Sequence, residues 1–257
     1  LLEVLFLAPD AIAPVMTRRL LDEYELSASA SLGLSLATDV SSDDQDTVDR
    51  GRAVLRKAVE VGGELGLVYL GGVVFGALTK YSAPVTERGR ANSVAAVAEM
   101  ADLAAAAGMP VGLEVVNRYE SNLLNTARQA VDYIAETGSS NVYVHLDTYH
   151  MNIEESGMLE PVLTCGDRLG YVHIGESHRG YLGSGNVDFA GLFRGLRAID
   201  FTGPITFESF SSTVVDPNLS YTLAIWRNLW DDNLDLAGQA RSFIDAQLRG
   251  VATIPPQ

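Results

Sequence analysis

The chain has 257 residues, of which 47% are hydrophobic, so it can bury a large core, and its length suits one domain. Its 33 acidic and 18 basic residues, a formal net charge of −15, argue against nucleic acid or an anionic membrane surface as the main partner. The single Cys165 excludes an internal disulfide and suits a reducing cytoplasm. With no secretory signal and no apolar run long enough for a bilayer, we expect a soluble, cytoplasmic protein.

Strand and helix patterns alternate along the chain. Apolar segments predict strands, and capping residues followed by apolar stripes predict helices between them. Residues 73–84 lack clear periodicity and predict a rim loop, whereas Asn152 and Glu155 predict the start of a helix. The predicted strands cover residues 2–8, 26–36, 67–72, 111–117, 142–147, 169–175 and 204–209, and the main predicted helices cover 18–24, 41–63, 86–107, 122–137, 158–165, 188–199, 219–230 and 236–248.

This alternation is typical of a parallel α/β architecture. Seven strands are one short of a closed eight-stranded barrel, and residue 1 already lies at a predicted strand. We therefore predict a (β/α)8 TIM barrel whose first βα unit is missing from the sequence, with strands 2 to 8 and C-terminal helices forming a single domain over residues 1–257.

Four of the later strands carry a polar side chain near their carboxyl end, on the face opposite the aliphatic residues. In a closed parallel barrel these side chains point inward at one rim and converge. Three carboxylates and one imidazole suit a divalent cation such as Mn²⁺, Mg²⁺ or Co²⁺ better than a thiolate-type zinc site. The four residues are Glu114, Asp147, His173 and Glu208.

Other conspicuous residues have simpler interpretations. His145 lies two residues before Asp147, and we expect a hydrogen-bonded core residue rather than a fifth ligand. Cys165 is predicted to be a small core residue. Trp226 and Trp230, four apart on a predicted helix, are expected to pack in the core or at a subunit contact.

The sequence around the four polar positions forms specific motifs. They are EVVNRYE at 114–120, LDTYHMNIEE at 146–155, HIGESHR at 173–179 and Phe207-Glu208. With these motifs, the chain resembles the D-tagatose 3-epimerase family, which includes D-allulose (D-psicose) and L-ribulose 3-epimerases, among the xylose-isomerase-like barrels. The resemblance runs over essentially the whole chain and implies that its first strand corresponds to the second strand of the family.

The resemblance also implies roles for individual residues. It makes Glu114, Asp147, His173 and Glu208 the metal ligands, with Mn²⁺ as the first candidate and Co²⁺ or Mg²⁺ as alternatives, and it makes Glu114 and Glu208 the acid/base pair. The family's substrate-binding positions correspond to Glu120, His150 and Arg179, and Phe75 corresponds to a pocket aromatic. The implied partner is a free ketose, and the implied assembly is a homodimer or homotetramer.

Inversion at C3 of a ketose requires removal of the proton beside the C2 carbonyl and its return from the opposite face. A pair of glutamates meets this requirement, and the enediolate formed between the two steps needs electrostatic stabilisation. The predicted function is therefore a metal-dependent ketose 3-epimerase, acting on pairs such as D-tagatose/D-sorbose, D-fructose/D-allulose or L-ribulose/L-xylulose. The alternatives are an aldose/ketose or hydroxypyruvate-type isomerase of the same superfamily and an inactive sugar-binding barrel.

Overall fold

Seven parallel strands, hydrogen-bonded in sequence order from β1 to β7, form the centre of the molecule. The computed structural model describes residues 1–6 and 8–252. Helices cover the sheet, which curves into a nearly closed barrel and confirms the predicted TIM-barrel class. Within the described residues no pairing joins β7 to β1. The strands are β1 (Leu2–Leu5), β2 (Ala28–Leu34), β3 (Leu70–Ala77), β4 (Val111–Glu114), β5 (Val142–Asp147), β6 (Leu169–Ile174) and β7 (Ile205–Phe207).

The helices begin where side chains cap free backbone N–H groups. A side chain accepts a hydrogen bond from a backbone N–H of the first helical turn at Asp44, Thr86, Thr126 and Asp188. Two helices end at a glycine in the left-handed conformation, Gly66 and Gly138. No helix in the described part of the chain is long and apolar enough to cross a membrane. The helices are α1 (Pro14–Glu23), α2 (Gln45–Leu65), α3 (Glu87–Ala106), α4 (Ala127–Thr137), α5 (Thr148–Glu154), α6 (Leu159–Cys165), α7 (Phe189–Ala198), α8 (Pro217–Thr222) and α9 (Asn233–Ala252).

The first part of the predicted rim loop is a strand. Residues 73–77 continue β3 and are fully buried, because their apolar side chains pack on both faces of the sheet. The prediction of a loop over all of 73–84 was therefore wrong for its first part. The first predicted strand is also shorter than expected, since β1 ends at Leu5, and residue 7 lies outside the described residues.

Several helix boundaries differ from the predictions as well. The helix after β5 begins at Thr148 rather than at Asn152, because the Asp147 carboxylate accepts the N–H groups of Tyr149 and His150. The helix predicted over 219–230 ends at Thr222, where Ala224 adopts φ +54° and Ile225 donates its N–H to the Ser220 carbonyl at 2.8 Å. Of the residues at these boundaries, Asp147 both ends β5 and caps α5.

Candidate metal centre and active site

The four polar side chains predicted to converge do so at the carboxyl ends of β4 to β7. Glu114 and Asp147 end β4 and β5, His173 is the penultimate residue of β6, and Glu208 directly follows β7. One ligand atom from each lies within 4.8 Å of the others. Nδ1 of His173 lies 3.2 Å from Glu114 Oε1, 3.7 Å from Asp147 Oδ2 and 3.8 Å from Glu208 Oε2. This set of three carboxylates and one imidazole could hold a divalent metal ion.

The guanidinium of Arg179 lies at the edge of this cluster. Its Nη1 contacts Asp147 Oδ2 at 2.9 Å and Glu208 Oε2 at 2.6 Å, and its Cζ lies 4.0 Å from the centroid of the Tyr149 ring. Burial would raise the pKa of Asp147, but the charge of Arg179 and the bond to His173 hold that pKa well below its usual range. Burial raises the pKa of Glu208 to about 8, against the opposing effects of Arg179 and His173. Arg179 therefore neutralises only part of the negative charge of the three clustered carboxylates, and a bound cation would neutralise more of it.

A cavity of about 450 Å³ opens beside the cluster. Glu120, His150 and Arg179 line it together with Glu114, His173 and Glu208, so the predicted substrate-binding and acid/base side chains share one space. An apolar part of the lining, the apolar wall, comes from β1, β3, the β7 end and α8. This wall includes Leu5, Val73, Leu78, Phe207, Phe210, Leu219 and Leu223. A pocket of this size with a polar floor and an apolar wall suits a small ligand.

The hydrogen bonds of His150 define its tautomer. Nδ1 accepts the backbone N–H of Asn117 at 3.1 Å, and a backbone N–H can only donate. The ring proton of the neutral form must then be on Nε2, which lies 4.0 Å from Oε2 of the Glu120 carboxylate. His150 therefore presents an N–H donor to the cavity.

Phe75 does not line the cavity. Its side chain is fully buried, and its ring lies 6.3 Å from that of Tyr133 in the layer between β3 and the helices. Val73 and Leu78, from the same stretch, reach the cavity instead. The placement differs from the prediction because the register of β3 against β2 shifts between Val73 and Ala77, so Phe75 does not continue the inward face that Val73 begins.

His145 is buried, but neither ring nitrogen has a hydrogen-bond partner among the described residues. The expectation of a hydrogen-bonded core histidine was therefore wrong. Its ring lies 4.1 Å from that of His173 and 4.7 Å from that of Tyr171, so aromatic rings occupy the space that polar partners would need. Burial, and then the charge of His173, lowers its pKa to about 4, so the ring is neutral at pH 7. One of its nitrogens also forms a second possible ligand group with Glu114 and His173.

One residue of the site carried no prediction. The carboxylate oxygens of Glu3, on β1, lie 2.9 and 2.8 Å from Nε2 of His173. The available sequence signal was a single charge within the apolar segment 1–6, but no local motif connects that charge with a histidine 170 residues later. Only the closure of the barrel brings the two together.

The cysteine and the two tryptophans lie in different environments. Cys165 is buried at the end of α6, as predicted for a core residue. The Trp230 indole donates to Ser209 Oγ at 2.7 Å. Trp226 is 69% exposed and stacks on Tyr221, which is 68% exposed, so Trp226 is not a core residue of the described chain.

Comparisons with known proteins agree with this fold. The sequence profile of the family described as "Xylose isomerase-like TIM barrel" matches residues 7–242. An L-ribulose 3-epimerase from Methylomonas sp. (strain DH-1) is 57% identical over 243 residues, which are 95% of this chain and 85% of the relative. A ketose 3-epimerase from Arthrobacter globiformis is 55% identical, over 91% of this chain and 81% of the relative.

A solved structure is similar over the same extent. The crystal structure of a D-allulose 3-epimerase from Methylomonas sp. in complex with D-allulose has a TM-score of 0.94 and 56% identity, and it covers 95% of this chain and 85% of its own. The resemblance inferred from the motifs is thus confirmed. The chain belongs to the xylose isomerase-like TIM barrels and, within them, to the ketose 3-epimerases, which are enzymes of the isomerase class.

Proposed function

We propose that this epimerase acts on free ketoses, with L-ribulose and D-allulose among its substrates. The names of the similar relatives and the D-allulose complex of one of them support this choice. The observation that carries the proposal is the position of Glu114 and Glu208. They come from strands separated by two others, yet both reach His173 at the cavity. These relatives support an epimerase rather than the isomerase or binding-protein alternatives.

We further propose that Glu114, Asp147, His173 and Glu208 hold one divalent ion, with Mn²⁺ first among the candidates. The donor set supports this, because three oxygen ligands and one nitrogen ligand within 4.8 Å match the preferences of such ions. When bound, the ion would supply a Lewis acid to the substrate's carbonyl oxygen and stabilise negative charge there.

The side chains of this protein would do the proton transfer and the orientation. Glu114 and Glu208 approach from different strands, so one can remove the C3 proton while the other returns a proton to the opposite face, with the roles exchanged in the reverse direction. His150 Nε2–H and Arg179 would donate to substrate oxygens, and the Glu120 carboxylate would accept from a hydroxyl. The apolar wall would exclude water from the far end of the sugar.

The test is exchange of the C3 proton in D₂O. Protein stripped of metal, reloaded with Mn²⁺ and incubated with L-ribulose, D-allulose or D-tagatose should produce the 3-epimer with deuterium at C3, as seen by NMR. Deuterium at C2 of an aldose would instead identify an isomerase. Glu114→Gln and Glu208→Gln should each slow epimerisation by about 10²–10⁴-fold at a Mn²⁺ concentration that saturates the variant.

The two variants should also lose proton exchange with different epimers. Each retains one base, so each should still exchange the C3 proton of one epimer only, and the epimer should differ between them. Glu155→Gln is the matched control, because its half-buried carboxylate binds the N–H of Ala127 at 2.8 Å, away from the cavity, and its activity should be unchanged. Activity like that of the wild type in either site variant would refute the assignment of the pair.

We also propose that the protein forms a homodimer or homotetramer in the cytoplasm. The stacked and exposed side chains of Tyr221 and Trp226, with Val214 and Leu234 nearby in the chain, are consistent with a subunit contact. Light scattering after size exclusion should give a mass of two or four chains, and Trp226→Ser should shift it downward if these side chains form the contact. A monomer at micromolar concentration would contradict this part.

A further inference from the structure

We propose that Glu3 is a positioning residue for the metal centre: its carboxylate holds His173 in the tautomer whose Nδ1 is free to bind the ion. The inference rests on the proposed ligation of the metal by His173. It concerns a residue of β1, which lies outside the four-residue cluster and carries none of the motifs that identify the family.

The two nitrogens of the His173 ring face different partners. Nδ1 faces the cluster, with Glu114 Oε1 at 3.2 Å, whereas Nε2 lies 2.9 and 2.8 Å from the two oxygens of Glu3. An ionised carboxylate can only accept hydrogen bonds, so Nε2 must carry the proton. In the neutral ring Nδ1 then has the lone pair that a metal requires, and the contact with a carboxylate makes that lone pair more basic.

Glu3 is itself held in place by three hydroxyl groups. Ser31 donates to Oε1, and Tyr171 and Thr206 donate to Oε2 at 2.9 and 2.8 Å. Four donors around one charged group fix both its position and its acceptor role.

These bonds connect β1 with β2, β6 and β7. Since β1 and β7 are not paired within the described residues, a purely structural role is the competing explanation: Glu3 could simply tie the edge of the sheet to its neighbours. The two explanations differ in one respect. A cross-link would depend on every bond of Glu3, whereas positioning depends on the bond with the imidazole.

The experiment compares Glu3→Gln with Thr206→Val. Glutamine keeps the shape but loses the charge, and its amide group can either donate to Nε2 or accept from it, so the tautomer is no longer imposed. The dissociation constant for Mn²⁺, measured from the EPR signal of the free ion, should rise on the order of 10–100-fold. Thr206→Val removes one bond of the same carboxylate and leaves the imidazole contact, so its dissociation constant should stay close to that of the wild type.

A second measurement needs no substitution at Glu3. In the protein loaded with diamagnetic Mg²⁺, the ¹⁵N chemical shifts of His173, assigned by comparison with His173→Gln, should report a proton on Nε2. A proton on Nδ1 would overturn the inference, whether or not Glu3→Gln folds.

His173→Gln separates this inference from the proposed function. If His173→Gln weakens Mn²⁺ binding while Glu3→Gln does not, the positioning role alone is refuted. If Glu3→Gln and Thr206→Val weaken binding equally, Glu3 acts as a cross-link and the inference is again refuted. If His173→Gln binds Mn²⁺ as the wild type does, the assigned ligand set fails first.

Discussion

Removing one carboxylate from the metal cluster should abolish the stabilisation that the ion provides. Asp147 is the most informative position, because it is fully buried among the cluster residues and also caps α5. An ion that binds only the folded state adds RT ln(1 + [L]/Kd), about 2.7 kcal/mol at 100 times Kd. For a chain of this size that corresponds to a rise in melting temperature of about 5–11 °C. Asp147→Asn should lose this rise, since an amide oxygen is a neutral and weaker ligand.

The assay is thermal unfolding by circular dichroism, with and without excess Mn²⁺, after treatment with a chelator. Asp188→Asn is the matched control. Asp188 Oδ1 caps α7 through the N–H of Gly191 at 2.9 Å, just as Asp147 caps α5, but Asp188 is not a member of the cluster. The control should keep the full rise in melting temperature. An equal rise in Asp147→Asn would show that the ion binds elsewhere, and the loss of the rise in both variants would show that it does not depend on the cluster specifically.

Two further predictions concern stability and reactivity. Gly72 has φ +106°, and a Cβ there would lie 2.2 Å from the Leu32 carbonyl oxygen, whereas Gly108 has φ +69° and open space around it. Gly108→Ala should therefore lower the free energy of unfolding by about 1–2 kcal/mol through backbone strain alone. Gly72→Ala should lower it by about 1–3 kcal/mol more, because the new methyl group also overpacks the site. Equal losses of unfolding free energy in urea titrations would contradict this. Burial raises the pKa of Cys165 to about 12, so at pH 8 the reactive thiolate is scarce and a thiol reagent such as DTNB should modify the unfolded protein only. Rapid modification of the native protein would refute the burial argument.

Much of the fold was accessible from the sequence because its signals are local. The caps at Thr86 and Asp188 and the alternation of segment 142–147 depend on neighbours within a few residues. The same holds for the polar side chains at the strand ends. Parallel strands in a barrel all end at one rim, so a regular βα alternation is enough to predict that Glu114, Asp147, His173 and Glu208 meet.

The features that the sequence did not predict depend on contacts between distant parts of the chain. Phe75 packs near Tyr133 because the register of β3 shifts along β2, and among the described residues His145 has no hydrogen-bond partner because rings from β6 lie against it. Glu3 reaches His173 because the barrel curves until its first strand lies near β6 and β7. Sequence periodicity determines which face of a helix or strand is buried. Only the tertiary structure decides which side chains of other elements the buried face contacts.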